Sequence, residues 1–163
     1  MRKINYFSYL SLFILAFSLG AKAEEPPDFE GVKSAVFAEL LGNGLFFTLN
    51  YDRRIVGNFG LRAGAGYIGS LEGDGGILTI PVNANFLLGR EGRYFEVGGG
   101  VTYLNSAGSE IFDSGNQWAI SLTFMYRRQP LNGGFMWRAG FTPLIFEKTV
   151  IPYYVGFGLG YAF

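Results

Sequence analysis

The residues equipped for chemistry are few, and they are carboxylates and guanidiniums. Asp52, Arg62, Glu96 and Arg138 each stand among small and polar residues at every second position of otherwise apolar segments, and Glu39 holds a similar place nearer the amino terminus. Two acids face two bases, and a hairpin centred near Val56 brings Asp52 within diagonal reach of Arg62. In a cramped, poorly hydrated interior an unpaired charge is expensive, so a compensated, hydrogen-bonded network is expected. Glu39 is placed to accept from that network or from Thr and Asn side chains. Such a network makes a rigid plug; its functional alternative is a switchable gate for small ions, because pairs of this kind exchange partners.

The chain has no His and no Cys. That removes a His-based triad, a cysteine nucleophile and an ordinary zinc site. Gly64-Ala65-Gly66-Tyr67-Ile68-Gly69 matches the dinucleotide fingerprint, but the fingerprint requires a following helix, and Ser70 to Gly76 read as a loop leading to a strand. Glu72-Gly73-Asp74-Gly75 offers oxygens of the kind calcium takes, or that bridge lipopolysaccharide through divalent ions; a plain solvated loop is the expected reading. Nothing in the spacing of Glu72, Asp74, Glu110 and Asp113 suggests a general acid and base pair. No enzyme, cofactor or metal site is expected.

The elements that must carry these residues follow from composition and period. The 163 residues hold 13 Lys plus Arg against 13 Asp plus Glu, only 16% charged residues, 18% aromatics and 25 glycines. One domain is expected, and disorder, a basic nucleic-acid binder and a disulfide scaffold fit badly. Apolar residues alternate: Trp118, Ile120, Leu122, Phe124 and Tyr126 share one face, with Gln117, Ala119, Ser121, Thr123 and Arg127 on the other. The final segment repeats the pattern with Val155, Phe157, Leu159, Tyr161 and Phe163 opposite Gly156, Gly158, Gly160 and Ala162. This is a strand period. The same test predicts eight strands, at 33–41, 45–54, 58–68, 77–88, 94–104, 116–127, 134–144 and 152–163, separated by Gly- and Asn-rich turns such as Gly42-Asn43-Gly44. Pro81 and Pro143 fall inside two of them and mark expected bulges or strand ends.

With no helical segment between them, the strands predict an all-β, eight-stranded antiparallel up-and-down transmembrane β-barrel over 33–163. Each strand has the length a tilted membrane span needs. The polar face, which includes Thr48, Asn50, Asp52, Arg62, Thr79, Asn83, Asn85, Glu96, Thr102, Ser121, Thr123 and Arg138, is expected inside, because a basic side chain outward at mid-membrane costs about 2–4 kcal/mol. Trp118, Ile120, Leu122, Phe124, Val155, Phe157 and Leu159 are then lipid-facing. Aromatic belts are expected at Tyr67, Tyr103, Trp118 and Tyr153 on one rim and at Tyr51, Phe95, Tyr126, Phe135 and Tyr161 on the other. A secreted soluble barrel that binds a ligand is the competing reading; it reverses the faces and leaves an outer surface nearly without Lys or Glu.

The amino terminus reads as an address. Arg2 and Lys3 precede an apolar run from Tyr9 to Leu19, and Ala21-Lys22-Ala23 supplies a small-x-small cleavage site, which predicts a cleaved signal peptide over 1–23. Removing three basic residues leaves 10 against 13 acidic, a mature charge of about −3. The acidic, proline-bearing segment 24–32 is expected to be a periplasmic lead-in.

These features together resemble one family. The leader, the eight alternating segments, Asn50-Tyr51-Asp52-Arg53-Arg54 followed by Gly60-Leu61-Arg62-Ala63-Gly64-Ala65-Gly66-Tyr67, and the closing Gly160-Tyr161-Ala162-Phe163 look like the small outer-membrane β-barrel proteins of bacteria, of the OmpA transmembrane-domain kind. The resemblance implies bacterial outer-membrane location with both termini periplasmic, outer-membrane lipids as surroundings, a monomer, and Tyr161 and Phe163 as the signal shown to the barrel-assembly machinery. It places the connections at 42–44, 69–76, 105–115 and 145–151 outside, and Arg53, Arg54, Arg90, Arg93, Arg127 and Arg128 at the periplasmic rim. Enzymes of this architecture rely on an active-site histidine, which this chain lacks. The function expected is therefore structural or interactive, with a polar, charge-paired lumen and no wide channel. A minor pore, or a conduit for a small apolar molecule past Phe46 and Tyr154, is the alternative.

Overall fold

A computed structural model describes residues 29–69, 75–107, 115–147 and 149–163; the expected leader and the carboxylates at 72, 74, 110 and 113 lie outside them. The alternating segments form strands β1 (Ser34–Leu41), β2 (Phe47–Val56), β3 (Phe59–Gly69), β4 (Gly76–Arg90), β5 (Arg93–Ala107), β6 (Gly115–Arg128), β7 (Gly134–Phe141), β8 (Leu144–Phe146), β9 (Val150–Ile151) and β10 (Val155–Ala162). Every pairing is antiparallel, and each strand from β1 to β6 pairs with the next. The sheet closes because β10 lies between β7 and β1, with Leu159 opposite both Trp137 and Ala38. Backbone bonds between Ser34 and Phe163 in both directions, at 3.0 and 2.8 Å, complete the seam.

The result is a closed eight-stranded barrel, although ten segments are numbered. β7 and β8 hold the same register on β6, Phe141 opposite Phe124 and Leu144 opposite Ser121, so they are one barrel strand interrupted at Thr142-Pro143. Pro143 marks that break without shifting the register; its carbonyl still accepts from the Leu122 amide at 2.9 Å. Pro81 is neither a bulge nor a strand end. It pairs in register with Thr102 on β5 while the β3–β4 ladder skips Gly64 and Ala65, where the missing N–H falls. The irregularity that does occur, between Arg54 and Val56, adjoins the Gly57-Asn58 turn. β4 and β5 run to 15 residues each, longer than the sequence suggests, and meet at a tight Glu91-Gly92 turn whose residues both have positive φ, 58° and 74°.

The faces are the reverse of a soluble barrel's. Among the described residues, 33 large apolar side chains are exposed, while 20 polar or charged residues are buried against 13 apolar ones. Trp118, Ile120, Phe124, Val155, Phe157 and Leu159 are all exposed, and Leu122 is half-buried on the same face. Outward charges, among the described residues, are confined to the two ends: Glu30, Lys33, Arg53, Arg90, Glu91, Arg93 and Arg128 at one and Glu147 at the other. Between them runs an uncharged belt. Its edge toward the termini is aromatic, since register aligns Tyr51, Val36, Tyr161 and Phe135 in one row and Phe95 with Tyr126 in another. At the opposite edge Tyr103 and Trp118 are register partners with rings 5.0 Å apart.

Narrowness explains the glycines. A Cβ on Gly66 would stand 1.9 Å from the Phe47 carbonyl, and one on Gly160 would stand 2.1 Å from that of Val36. The glycine pattern from Gly64 to Gly69 thus belongs to strand β3, not to a strand–helix turn that cradles phosphate.

Candidate functional site in the barrel lumen

Period two sends Asp52 and Arg54 of β2, Arg62 of β3, Glu96 of β5, Arg127 of β6, Arg138 of β7 and Glu39 of β1 into the same interior, each no more than 2% exposed. Glu96 is the hub. Its Oε1 meets Arg138 Nη1 at 3.0 Å and Arg62 Nη1 at 3.4 Å, and its Oε2 meets Arg127 Nη1 at 3.4 Å. Arg127 Nη1 also lies 3.3 Å from Asp52 Oδ2, which accepts from Asn85 Nδ2 at 2.7 Å. Arg54 closes this end by donating to Asp52 Oδ1, to Asn85 and, at 2.9 Å, to the Asn58 carbonyl. At the other end Arg138 Nη2 reaches Glu39 Oε1 at 3.5 Å. One chain of alternating charge therefore runs from Arg54 to Glu39.

The five charged residues singled out in the sequence are all in this chain, but their pairing differs from expectation. Asp52 and Arg62 are direct cross-strand partners; even so, Asp52 pairs with Arg54 and Arg127, and Arg62 turns to Glu96. Arg54 and Arg127 are not rim residues. Their parity along β2 and β6 points them inward, where they raise the described lumen to four bases and three acids, a formal charge of 4 − 3 = +1. Of the two kinds of partner expected for Glu39, the structure gives it the charge network, through Arg138, and no Thr or Asn side chain. Phe37 packs against two guanidiniums, with Arg138 Cζ 5.2 Å and Arg62 Cζ 5.9 Å from its ring centroid.

The first turn departs furthest from the expected topology. Gly42-Asn43-Gly44 is not a tight outer loop; all three residues are buried and the turn folds into the lumen. Asn43 Oδ1 accepts from Arg62 at 2.7 Å, its Nδ2 donates to Thr123 Oγ1 at 3.2 Å, and its carbonyl accepts from Thr102 Oγ1 at 2.6 Å. Gly42 eases the turn: its φ is 70°, and a Cβ would stand 2.6 Å from the Glu39 carboxyl carbon, which would have to shift. Beyond the turn, Leu45, Leu104, Ala119 and Leu144 pack together with Phe46 and Tyr154, whose hydroxyl donates to the Leu45 carbonyl. The lumen is thus layered, with ion pairs toward the termini, an inserted asparagine turn, then an apolar layer. At the terminal end Phe29 packs on Leu87 and Tyr94.

Chemically, this arrangement holds charge in place. The three carboxylates are at most 1% exposed and two of them are saturated by guanidiniums, so a solute has no direct approach to them. Tyr161 and Phe163 are exposed on the outer surface of the closing seam. No family model matches the chain, and neither curated proteins nor solved structures yield a match.

Proposed function

We propose that the chain is an integral protein of the bacterial outer membrane, a monomeric barrel of structural or interaction type with a closed lumen. The observation that carries this is the inversion of faces: an uncharged apolar belt outside and an ion-paired interior. In water the belt would be a large unfavourable patch, whereas in hydrocarbon it is solvated and the closed sheet leaves no backbone edge unpaired. Opposite placement of the faces would put several buried arginines in lipid. The aromatic rows at the two edges of the belt suit the two headgroup interfaces. The exposed carboxyl-terminal pair Tyr161 and Phe163 suits contact with the assembly machinery before the seam closes.

The inserted Asn43 turn favours a structural barrel over a pore, because it spans the lumen between β3, β5 and β6. Carbonate and urea extraction of membranes, followed by electrophoresis of heated and unheated samples, tests the proposal. The chain is expected to stay in the pellet and to migrate differently until boiled. Recovery in the soluble fraction with one mobility would refute it.

A further inference from the structure

Three outward arginines form a row at the terminal end of the barrel. Arg90 of β4 is the register partner of Arg93 of β5, and Arg93 is the partner of Arg128 of β6. Each shares a strand face with the next residue but one, and those residues, Leu88, Phe95 and Tyr126, form an exposed apolar row that the register also aligns. The arginines therefore stand one step beyond the edge of the apolar belt, on the same outer surface. Like charges directly opposite one another destabilise a strand pair. Here they occur twice in succession, and among the described residues none of the three forms an ion pair. Glu91, in the turn between two of them, is the one carboxylate of that hairpin tip, which leaves the tip at a formal 2 − 1 = +1 with Arg128 of β6 beside it; Glu30, which acts on Tyr94 from the same end, is the other carboxylate nearby.

Arg128 is held in place, donating from Nη1 to the Glu91 carbonyl at 3.0 Å. Beside it, Trp137 is its register partner and its ring lies 5.2 Å from that of Tyr126, tilted by 45°, giving an aromatic shelf under the row. Guanidiniums at cross-strand spacing, above an apolar shelf, match the phosphate of a lipid whose acyl chains lie along that shelf: the planar fork binds phosphate oxygens, and the ligand's charge relieves the repulsion.

We propose that Arg90, Arg93 and Arg128 form a binding site for the phosphate headgroup of anionic phospholipids in the leaflet at the terminal end of the barrel. This rests on the membrane reading above. The test uses the full processed chain in nanodiscs containing equal phosphatidylglycerol and phosphatidylcholine, with retained lipid counted by native mass spectrometry. Wild type is expected to retain phosphatidylglycerol preferentially, and the preference is expected to fall as salt rises. Each basic residue near an anionic surface is worth about 1 kcal/mol, or about fivefold, so Arg90→Gln/Arg93→Gln/Arg128→Gln should lower the preference roughly tenfold or more. Arg90→Gln/Arg93→Gln keeps the Arg128 bond to the turn and should lose part of the preference with the heat-dependent gel shift intact. An inserted wild type without lipid preference, or variants that keep it, would overturn the site and leave the membrane reading standing. A chain that does not insert into any nanodisc would overturn the membrane reading itself.

Discussion

Glu96 and Glu39 are both carboxylates in the lumen, and the structure gives them unequal weight. Glu96 contacts three guanidiniums, so Glu96→Gln takes counter-charge from Arg62, Arg127 and Arg138 together in a buried interior. Removing one partner of a buried pair costs about 3–5 kcal/mol. Glu39 has one ion pair, at 3.5 Å, and no side-chain hydrogen bond; Glu39→Gln is expected to cost less than Glu96→Gln, because Arg138 keeps its 3.0 Å pair with Glu96. Denaturant unfolding of the refolded barrel in detergent, followed by loss of the unheated gel band, checks both. Equal effects would mean that Glu96 is not the hub. Most of these residues were legible from period two alone: Asp52, Arg62, Glu96 and Arg138 all point inward as parity requires. Arg54 and Arg127 share that parity, and Arg127 even falls on the polar face of its segment. The topology that the resemblance implies puts both at the rim, but both side chains reach into the lumen where Asp52 is.

At the scale of elements, the strands were readable because each side chain's face is fixed locally. What the strands enclose was not. The sequence Gly42-Asn43-Gly44 has the same composition whether its turn points outward or inward, and the groups that hold it, Arg62, Thr102 and Thr123, are far along the chain on three other strands. Asn43→Ala removes a side chain that bonds to Arg62 and Thr123, leaving buried groups unsatisfied at about 1–3 kcal/mol. The same unfolding assay should detect this, and planar-bilayer recordings should show higher conductance than a silent wild type if the turn seals the lumen. Neighbouring glycines of β5 provide a second test. On Gly100 a Cβ would meet the Val82 carbonyl at 2.0 Å and Asn83 Nδ2 at 2.5 Å, whereas on Gly99 the nearest atom is a Leu122 methyl at 3.4 Å. Gly100→Ala is expected to destabilise by about 1–3 kcal/mol or to block assembly, and Gly99→Ala to be tolerated, as scored by the fraction of heat-shifting band.

For the whole molecule, everything depends on which solvent the apolar belt meets. The chain lacks cysteine, so single cysteines carrying a nitroxide label can be placed without removing native thiols. Leu49 and Leu159 are exposed belt positions on β2 and β10, well inside the ends that carry charge. Paramagnetic relaxation of labels at both sites, in the barrel reconstituted into phospholipid vesicles, is the decisive measurement. Fast relaxation by oxygen and protection from a water-soluble nickel chelate would place these side chains in hydrocarbon, as the account predicts. Ready access of the chelate to both labels, with little response to oxygen, would contradict it.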